Sequence, residues 1–153
     1  MDFDANFWNL KYSNNQTGWD IKSPSTPLKE YIDQLNDQQI KILIPGCGNA
    51  YEAEYLLAKG FTNITLIDIS DILVQELQER FRDNPEIKIF NQDFFELNDT
   101  YDLILEQTFF CALNPDLRPK YVEKMHQILS RNGHLVGVLF NIQFGDPSPP
   151  FGG

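Results

Sequence analysis

The sequence predicts an α/β fold, in which helices on both faces cover a mostly parallel β-sheet. Segments with strand and helix character alternate along the chain, an arrangement typical of parallel sheets. A Gly46-Cys47-Gly48 turn follows the first strand-like segment, where α/β proteins commonly bind ligands. The 153 residues suffice for one well-buried core. We therefore expect residues 1–153 to form a single domain.

The first half of the sequence predicts an aromatic arm, three helices and two strands. Residues 1–24 show no clear period and are interpreted as an arm or lid. Ser25-Thr26-Pro27 marks the start of a helix that extends to about residue 37. Strands are predicted over 41–44 and 63–67. The helix over about 50–59 ends at Gly60, and another, capped by Ser70, extends to about residue 82.

The second half predicts three strands and one helix. Strands are expected over 87–90 and 101–105. Pro115 and Pro119 mark the beginning of an amphipathic helix, which Asn132-Gly133 ends. Residues 135–140 are almost wholly apolar and predict a fifth strand buried on both faces. The segment from Gly145 onward is rich in proline and glycine and predicts a loop.

Composition excludes several classes of protein. Twelve Lys and Arg against 22 Asp and Glu give a net charge of −10, which disfavours nucleic acid and anionic membranes as partners. No apolar stretch approaches the ~20 residues of a membrane-spanning helix, and the N-terminus lacks the pattern of a secretory signal. We expect a cytoplasmic protein. Two cysteines and two histidines at these spacings predict neither a disulfide framework nor a metal site.

The turn after the first strand has the features of an anion site. Its glycines let a ligand approach the backbone, and free amides at the following helix start attract negative charge. A dinucleotide fingerprint would place a third glycine at position 51, which is Tyr51. This bulky side chain favours a carboxylate over a pyrophosphate. A helix start would also lower the pKa of the Cys47 thiol.

Acidic residues follow the next two strands. Asp68 lies 20 residues after Gly48, a separation typical of a carboxylate that binds ribose hydroxyls. Asp93, followed by Phe94 and Phe95, suits the amine and the apolar face of adenine. A carboxylate, a ribose and an adenine in this order favour S-adenosylmethionine over NAD. Each residue can instead be a structural turn residue, but three consecutive strand ends favour the nucleoside site.

With these residues placed, the sequence resembles the thiopurine S-methyltransferase-like family of S-adenosylmethionine-dependent methyltransferases, and especially its halide/thiol methyltransferase branch. The resemblance extends from residue 7 to residue 151. It is carried by Phe7-Trp8, Tyr12, Thr17–Asp20, Ile42–Gly48, Leu66–Ser70, Asp93–Phe95, Glu106–Leu113, Pro115 and Arg118. The resemblance implies a Rossmann-like class I methyltransferase fold. In that family an antiparallel strand pair completes the sheet at its C-terminal end, and this sequence predicts only the first five strands. Either the chain is incomplete, or it exposes a sheet edge that a partner covers.

The resemblance also implies the residues that contact the cofactor. These are Trp8, Tyr12, Trp19, Gly46, Asp68, Asp93, Phe94 and Gln107. Because the carboxyl ends of the strands face the acceptor pocket, Phe109, Phe110 and Cys111 are predicted to enclose the substrate. The resemblance keeps Arg118 near this pocket, where it reaches an anionic acceptor or caps a carbonyl. Glu106 either orients the loop or an acceptor amine, or is purely structural.

The implied reaction moves the sulfonium methyl group by in-line displacement to a small soft nucleophile: a thiol, hydrosulfide, thiopurine or halide. An anionic acceptor needs no general base, so no catalytic residue is predicted, and His126 and His134 are interpreted as structural. The alternatives are a non-catalytic S-adenosylmethionine-binding module and a methyltransferase with another small-molecule acceptor. A nucleic-acid base methyltransferase and a nicotinamide-dependent reductase fit the sequence less well. No oligomeric state is predicted.

Overall fold

The computed structural model of the protein describes residues 3–153, which form one parallel β-sheet with helices on both faces. The strands are β1 Ile42–Pro45, β2 Ile64–Asp68, β3 Ile87–Asn91, β4 Tyr101–Gln107 and β5 Leu129–Val138. Their order across the sheet is β3-β2-β1-β4-β5, and every neighbouring pair is parallel. The predicted α/β architecture is confirmed. The strand order reverses direction beside β1, where α/β sheets bind ligands.

Five α-helices and three short 3-10 helices surround the sheet. The α-helices are α1 Ala5–Ser13, α2 Thr26–Asp33, α3 Tyr51–Ala58, α4 Asp71–Arg80 and α5 Arg118–Ile128. The 3-10 helices are Phe94–Glu96, Phe110–Ala112 and Pro115–Leu117. Within residues 3–153, no helix combines the length and apolar character needed to cross a membrane.

Alternating side chains of the strands build two cores, one on each face of the sheet. Ile42 and Ile44 of β1 pack with the buried residues of α2, α3 and α4. Leu43 faces the opposite side and packs with α5 and the segment around Phe94. This alternation follows from the two-residue period of a strand. Strands β1 and β2 are buried along their full length, which places the ends of both strands in the centre of the molecule.

At two predicted helix boundaries the structure has both the expected position and the expected capping interaction. At a third, only the position is as expected. Ser70 caps α4, because its Oγ accepts a hydrogen bond from the Leu73 N–H at 3.2 Å. Gly60 follows α3 with a left-handed φ of 88°. Ser25 stands at the N-cap of α2, but its side chain makes no capping hydrogen bond. Its backbone N–H donates instead to Glu52 Oε1 at 3.1 Å.

The interpretation of residues 1–24 as an arm without a period was incomplete, because the arm contains helix α1. Asp4 caps this helix by accepting a hydrogen bond from the Phe7 N–H at 3.1 Å. None of the helical residues is buried. Without a buried apolar stripe, the sequence carries no helical period in this region. Helix α2, by contrast, is shorter than predicted and ends at Asp33.

Strand β5 differs most from its prediction. It was expected to be buried on both faces, but no residue of β5 is buried, and Leu135 is 39% exposed. Among the described strands it pairs with β4 alone, so it forms an edge of the sheet. The predicted helix end at Asn132-Gly133 is also wrong, because α5 ends at Ile128 and this dipeptide lies within β5. His134 also lies within this strand.

Candidate functional site

A cavity of about 740 Å³ opens at the carboxyl ends of β1 to β4. This volume lies within the range of small-molecule sites, and the position is where parallel sheets bind ligands. From the sheet, the cavity is lined by Gly46, Ile67, Asp68, Ile69, Gln92, Asp93, Phe94, Phe95, Thr108 and Phe109. The arm contributes Phe3, Asp4, Phe7, Trp8, Lys11, Tyr12, Gly18 and Trp19. The segment after β4 and the C-terminal residues complete the lining with Cys111, Ala112, Leu113, Asn114, Asp116, Leu117, Phe140, Pro149 and Pro150.

The turn after β1 brings backbone directly to the cavity. Gly46 has a φ of +53°, which favours glycine. A Cβ atom on Gly46 would lie 2.3 Å from Cδ2 of Phe109, so the Phe109 ring packs on the bare Gly46 backbone. Gly48 is also left-handed, with a φ of +52°, but a Cβ there would meet only the Tyr12 hydroxyl, at 3.8 Å. Both glycines are therefore left-handed, but of the two only Gly46 has no room for a side chain.

Asp68 ends β2, is 8% exposed as a residue and lines the cavity. Its Oδ1 accepts a hydrogen bond from the Ser70 N–H at 3.0 Å, and its Oδ2 accepts one from the Gly48 N–H at 3.4 Å. Burial raises the pKa of Asp68 to about 6, although these backbone hydrogen bonds oppose the rise. At neutral pH the group is an ionised, fixed acceptor for hydroxyl groups in the cavity.

The segment after β3 supplies an acidic acceptor beside an aromatic ring. Asp93 Oδ1 accepts a hydrogen bond from the Phe95 N–H at 2.9 Å, so this residue shapes the turn and also lines the cavity. Phe94 is buried, and its ring packs edge-on against Phe109 with centroids 5.1 Å apart. The structural and the ligand-binding interpretations of Asp93 are therefore compatible.

The arm places three aromatic side chains on the cavity. The rings of Trp8 and Trp19 are perpendicular with centroids 5.7 Å apart, and the Tyr12 and Trp19 centroids are 5.9 Å apart. Burial, together with the nearby Asp68 carboxylate, raises the pKa of Tyr12 above its ordinary value. Tyr12 is therefore a neutral phenol throughout the physiological pH range. The arm covers the glycine turn and Asp68 with neutral aromatic surface.

Gln107, Phe110 and Arg118 lie outside the lining of the main cavity. Gln107 lines a smaller adjoining cavity of about 60 Å³, which shares Trp19 and Gly46 with the main one. The guanidinium carbon of Arg118 lies 4.6 Å from the centroid of the Phe110 ring, and its Nη2 donates to the Gly152 carbonyl at 2.9 Å. Phe110 and Arg118 thus hold the C-terminal segment against the protein instead of facing the cavity.

Burial raises the pKa of two further residues, Glu106 and Cys47. Glu106 is buried, and its Oε1 accepts hydrogen bonds from the Tyr121 hydroxyl at 3.2 Å and from the Phe110 N–H at 3.3 Å. Burial raises the pKa of Glu106 to about 7. Its contacts orient the segment after β4, one of the predicted roles. Burial and then the Asp68 carboxylate raise the pKa of Cys47, so the predicted lowering is wrong.

Much of the cavity's outer wall comes from residues that the sequence did not single out. Phe3, Lys11, Phe140, Pro149 and Pro150 line the cavity without having been predicted. The C-terminal segment reaches it through long-range backbone contacts, such as the hydrogen bond from the Phe151 N–H to the Cys111 carbonyl at 2.8 Å. No local spacing carries such information. Within residues 3–153, no three His, Cys, Asp or Glu side chains are placed to hold a metal ion.

Solved structures with this architecture identify the class of fold. The 1,6-didemethyltoxoflavin-N1-methyltransferase of Burkholderia thailandensis, crystallised with 1,6-didemethyltoxoflavin and S-adenosylhomocysteine, superimposes with a TM-score of 0.74. The match covers 92% of this chain and 62% of that one at 17% identity. A glycopeptide N-methyltransferase complexed with S-adenosyl-L-homocysteine has a TM-score of 0.68 at 12% identity, over 77% of this chain and 53% of that one. The fold is that of the class I S-adenosylmethionine-dependent methyltransferases.

Sequence relatives define the family within that class. Residues 3–152 match the family described as thiopurine S-methyltransferase, and the chain belongs to this family. It is 29% identical over 149 residues to a probable thiol methyltransferase 2 of Arabidopsis thaliana, covering 94% of this chain and 66% of the relative. It is 25% identical over 166 residues to a thiopurine S-methyltransferase of Vibrio parahaemolyticus, covering 97% and 76%. The chain thus spans slightly less than two thirds of the plant relative.

Proposed function

We propose that this protein binds S-adenosylmethionine in the main cavity and transfers its methyl group to a small soft nucleophile, with residues 1–153 acting as one methyltransferase domain. One observation carries the proposal: Gly46, Asp68 and Asp93, from the ends of three adjacent strands, line a single cavity beneath an aromatic arm. Family membership supports the same reaction class.

The cavity offers each part of the cofactor a matching partner. Asp68 accepts the ribose hydroxyls, and Asp93 with the Phe94 ring holds the adenine. The methionine end lies at the Gly46 turn, beside Gln107. In support of this last assignment, the Oε1 atom of Gln107 is buried and lacks a hydrogen-bond partner among the described residues. Such an atom suits a ligand that donates, as the methionyl ammonium does.

The side chains above the cofactor set the conditions for methyl transfer. When bound, the cofactor supplies a sulfonium methyl group that is already activated. The faces of Trp8, Tyr12 and Trp19 can stabilise the positive charge by about 0.5–2 kcal/mol per well-oriented ring. They also exclude water and restrict the acceptor to an approach in line with the departing thioether.

The outer half of the cavity suits a soft anionic acceptor. Its lining is mainly apolar and includes Phe109, Leu113 and Phe140. Lys11 is the one cationic side chain among the described residues that line the cavity, and it attracts a thiolate, hydrosulfide or halide. Because such an acceptor is already ionised, no side chain has to remove a proton.

Titration calorimetry with S-adenosylmethionine, S-adenosylhomocysteine and NADH tests the cofactor. We expect both adenosyl compounds to bind and NADH not to bind. Asp68→Ala should weaken binding by roughly 1–3 kcal/mol, through lost hydrogen bonds to the ribose. Asp83→Ala removes the same charge at an exposed position outside the cavity lining and should leave the affinity unchanged. Tight NADH binding without adenosylhomocysteine binding would disprove the proposal.

Product analysis with iodide, hydrosulfide and aromatic thiols tests the acceptor. We expect a methylated product from at least one of these nucleophiles. If the protein binds S-adenosylhomocysteine but methylates none of these nucleophiles, the proposed methyl transfer to a soft nucleophile is disproved. The protein would then be either a non-catalytic binding module or a methyltransferase with another acceptor.

A further inference from the structure

Specific polar contacts help to hold the arm in place, beside the partial burial of its aromatic side chains. Helix α1 has nine residues, and none of them is buried. An isolated helix shorter than about 12 residues is marginal in water. Contacts with the rest of the protein must therefore fix its position. Two groups of side-chain hydrogen bonds contribute, one within α1 and one after it, and we call them the first and the second anchor.

The first anchor is Asn9, which uses both ends of its amide. Its Oδ1 accepts a hydrogen bond from the Ser70 hydroxyl at 2.7 Å, and its Nδ2 donates to the Asp71 carboxylate. Ser70 and Asp71 stand at the beginning of α4, immediately after the end of β2. The Ser70 N–H also donates to Asp68 Oδ1. The first anchor therefore joins α1 to the loop that carries Asp68.

The second anchor is the carboxylate of Asp20. Its Oδ2 accepts a hydrogen bond from the Tyr51 hydroxyl at 3.0 Å and another from the Asn49 side-chain amide. Asn49 and Tyr51 directly follow the glycine turn after β1. Tyr51 occupies the position at which a dinucleotide fingerprint carries glycine, and here its side chain binds the arm. The second anchor therefore joins the arm to the loop that carries Gly46.

The two anchors lie next to the aromatic side chains that cover the cavity. Trp8 and Tyr12 flank the first anchor in α1, and Trp19 immediately precedes the second. We infer that Asn9 and Tyr51 are positioning residues, which hold the arm closed over the bound cofactor from the two loops that contact it. This inference rests on the proposed function. A loosened anchor lets the arm open, so the ligand dissociates faster and water enters.

The decisive variant is Tyr51→Phe, because it removes only a hydroxyl group. Tyr55→Phe is its matched control: Tyr55 lies one turn further along α3, and its hydroxyl donates to the Asp33 carboxylate away from the cavity. Both variants lose a Tyr–Asp hydrogen bond, and both should lower the melting temperature to a similar extent. Only Tyr51→Phe should raise the Kd of S-adenosylhomocysteine, by about tenfold.

Fluorescence quenching reports on the arm directly, because both tryptophans of the chain, Trp8 and Trp19, lie in it. Acrylamide should quench Tyr51→Phe and Asn9→Ala more than the parent protein, and Tyr55→Phe no more than the parent. In steady-state assays, Tyr51→Phe should raise the KM for S-adenosylmethionine more than it lowers kcat.

Equal effects of Tyr51→Phe and Tyr55→Phe on quenching and on ligand affinity would overturn the inference. So would a Tyr51→Phe protein with unchanged quenching. If the parent protein binds no S-adenosylhomocysteine, the proposed function fails instead. Quenching of the unliganded variants then still decides whether the anchors hold the arm, so the two failures are distinguishable.

Discussion

The two halves of the cavity are built in different ways. In the half that we propose holds the cofactor, the cofactor half, backbone N–H groups and carboxylates at successive strand ends set the geometry, as where Gly48 and Ser70 both donate to Asp68. In the half that we propose holds the acceptor, the acceptor half, side chains from distant segments come together, as where Phe109 and Phe140 both line the cavity. Hydrogen bonds between neighbouring strand ends therefore fix the first half, whereas the second depends on how distant segments pack.

The largest effect should come from the contact that joins the two halves. Gly46→Ala places a Cβ 2.3 Å from the Phe109 ring and also forces an unfavourable left-handed residue, whereas Gly48→Ala has only the backbone penalty of about 1–2 kcal/mol. Gly46→Ala should therefore lose much more S-adenosylhomocysteine affinity than Gly48→Ala, as measured by calorimetry. Equal losses would show that the Phe109 contact is unimportant.

A smaller effect should separate two neighbouring phenylalanines in the acceptor half. Phe109 lines the cavity, whereas Phe110 packs between Tyr121 and Arg118. We expect Phe109→Ala to raise the KM for an aromatic thiol by roughly tenfold, since it removes apolar surface from the site. Phe110→Ala should lower the melting temperature and change this KM little. The reverse pattern would mean that Phe110 is the residue that contacts the acceptor.

Arg118→Met tests whether a change in the acceptor half leaves the cofactor half unaffected. This variant keeps much of the packing on Phe110 but loses the hydrogen bond to the Gly152 carbonyl. The C-terminal segment should loosen and raise the KM for the acceptor, while the affinity for S-adenosylhomocysteine remains that of the parent. Steady-state kinetics and calorimetry on the same preparation provide the measurement. A matching loss of cofactor affinity would contradict the separation of the halves.

The pH dependence should be the mildest effect, and its sign differs between stability and binding. Burial raises the pKa of Asp68 to about 6 and that of Glu106 to about 7, above the unfolded values of roughly 4. The folded state therefore binds these protons more tightly, and the unliganded protein should lose stability as pH rises from about 4 to about 7. Melting temperatures measured across this pH range test the prediction. Glu106→Gln should show a weaker dependence of the melting temperature on pH.

Ligand binding should have the opposite pH dependence. Asp68 must be ionised to accept two hydroxyl hydrogen bonds, so the affinity for S-adenosylhomocysteine should fall as the pH drops below about 6. Calorimetry at several pH values provides the measurement, and Asp68→Asn should remove most of the dependence. An affinity that is constant from pH 5 to pH 8 would contradict the role of Asp68.

The sequence predicted that Gly46, Asp68 and Asp93 lie close together, and all three line one cavity, because the signals at these positions are local. A β-branched strand followed by glycine, or a strand ended by Asp68, carries its geometry within a few residues. The acceptor half depends on information that local patterns lack. Thr108 adopts a left-handed φ of 64° although it is not glycine, which changes the direction of the chain before Phe109 and Phe110. Their adjacency alone therefore does not indicate which ring faces the cavity.

The error in β5 has a different origin. Apolar composition predicts burial only where a layer of protein covers each face and each edge of the sheet. Residues 135–140 have the composition of a central strand, yet Leu135, Leu139 and Phe140 are exposed. Composition describes a strand's own residues and does not report its neighbours.

Within residues 3–153, β5 pairs on one side only, which has a consequence for how these residues behave at high concentration. An edge strand with unpaired backbone groups is a template for strand pairing between molecules. The net charge of −10 opposes this approach by mutual repulsion, which salt weakens over a distance of about 10 Å at 0.1 M. Self-association should therefore increase with ionic strength, in contrast to assemblies that depend on opposite charges.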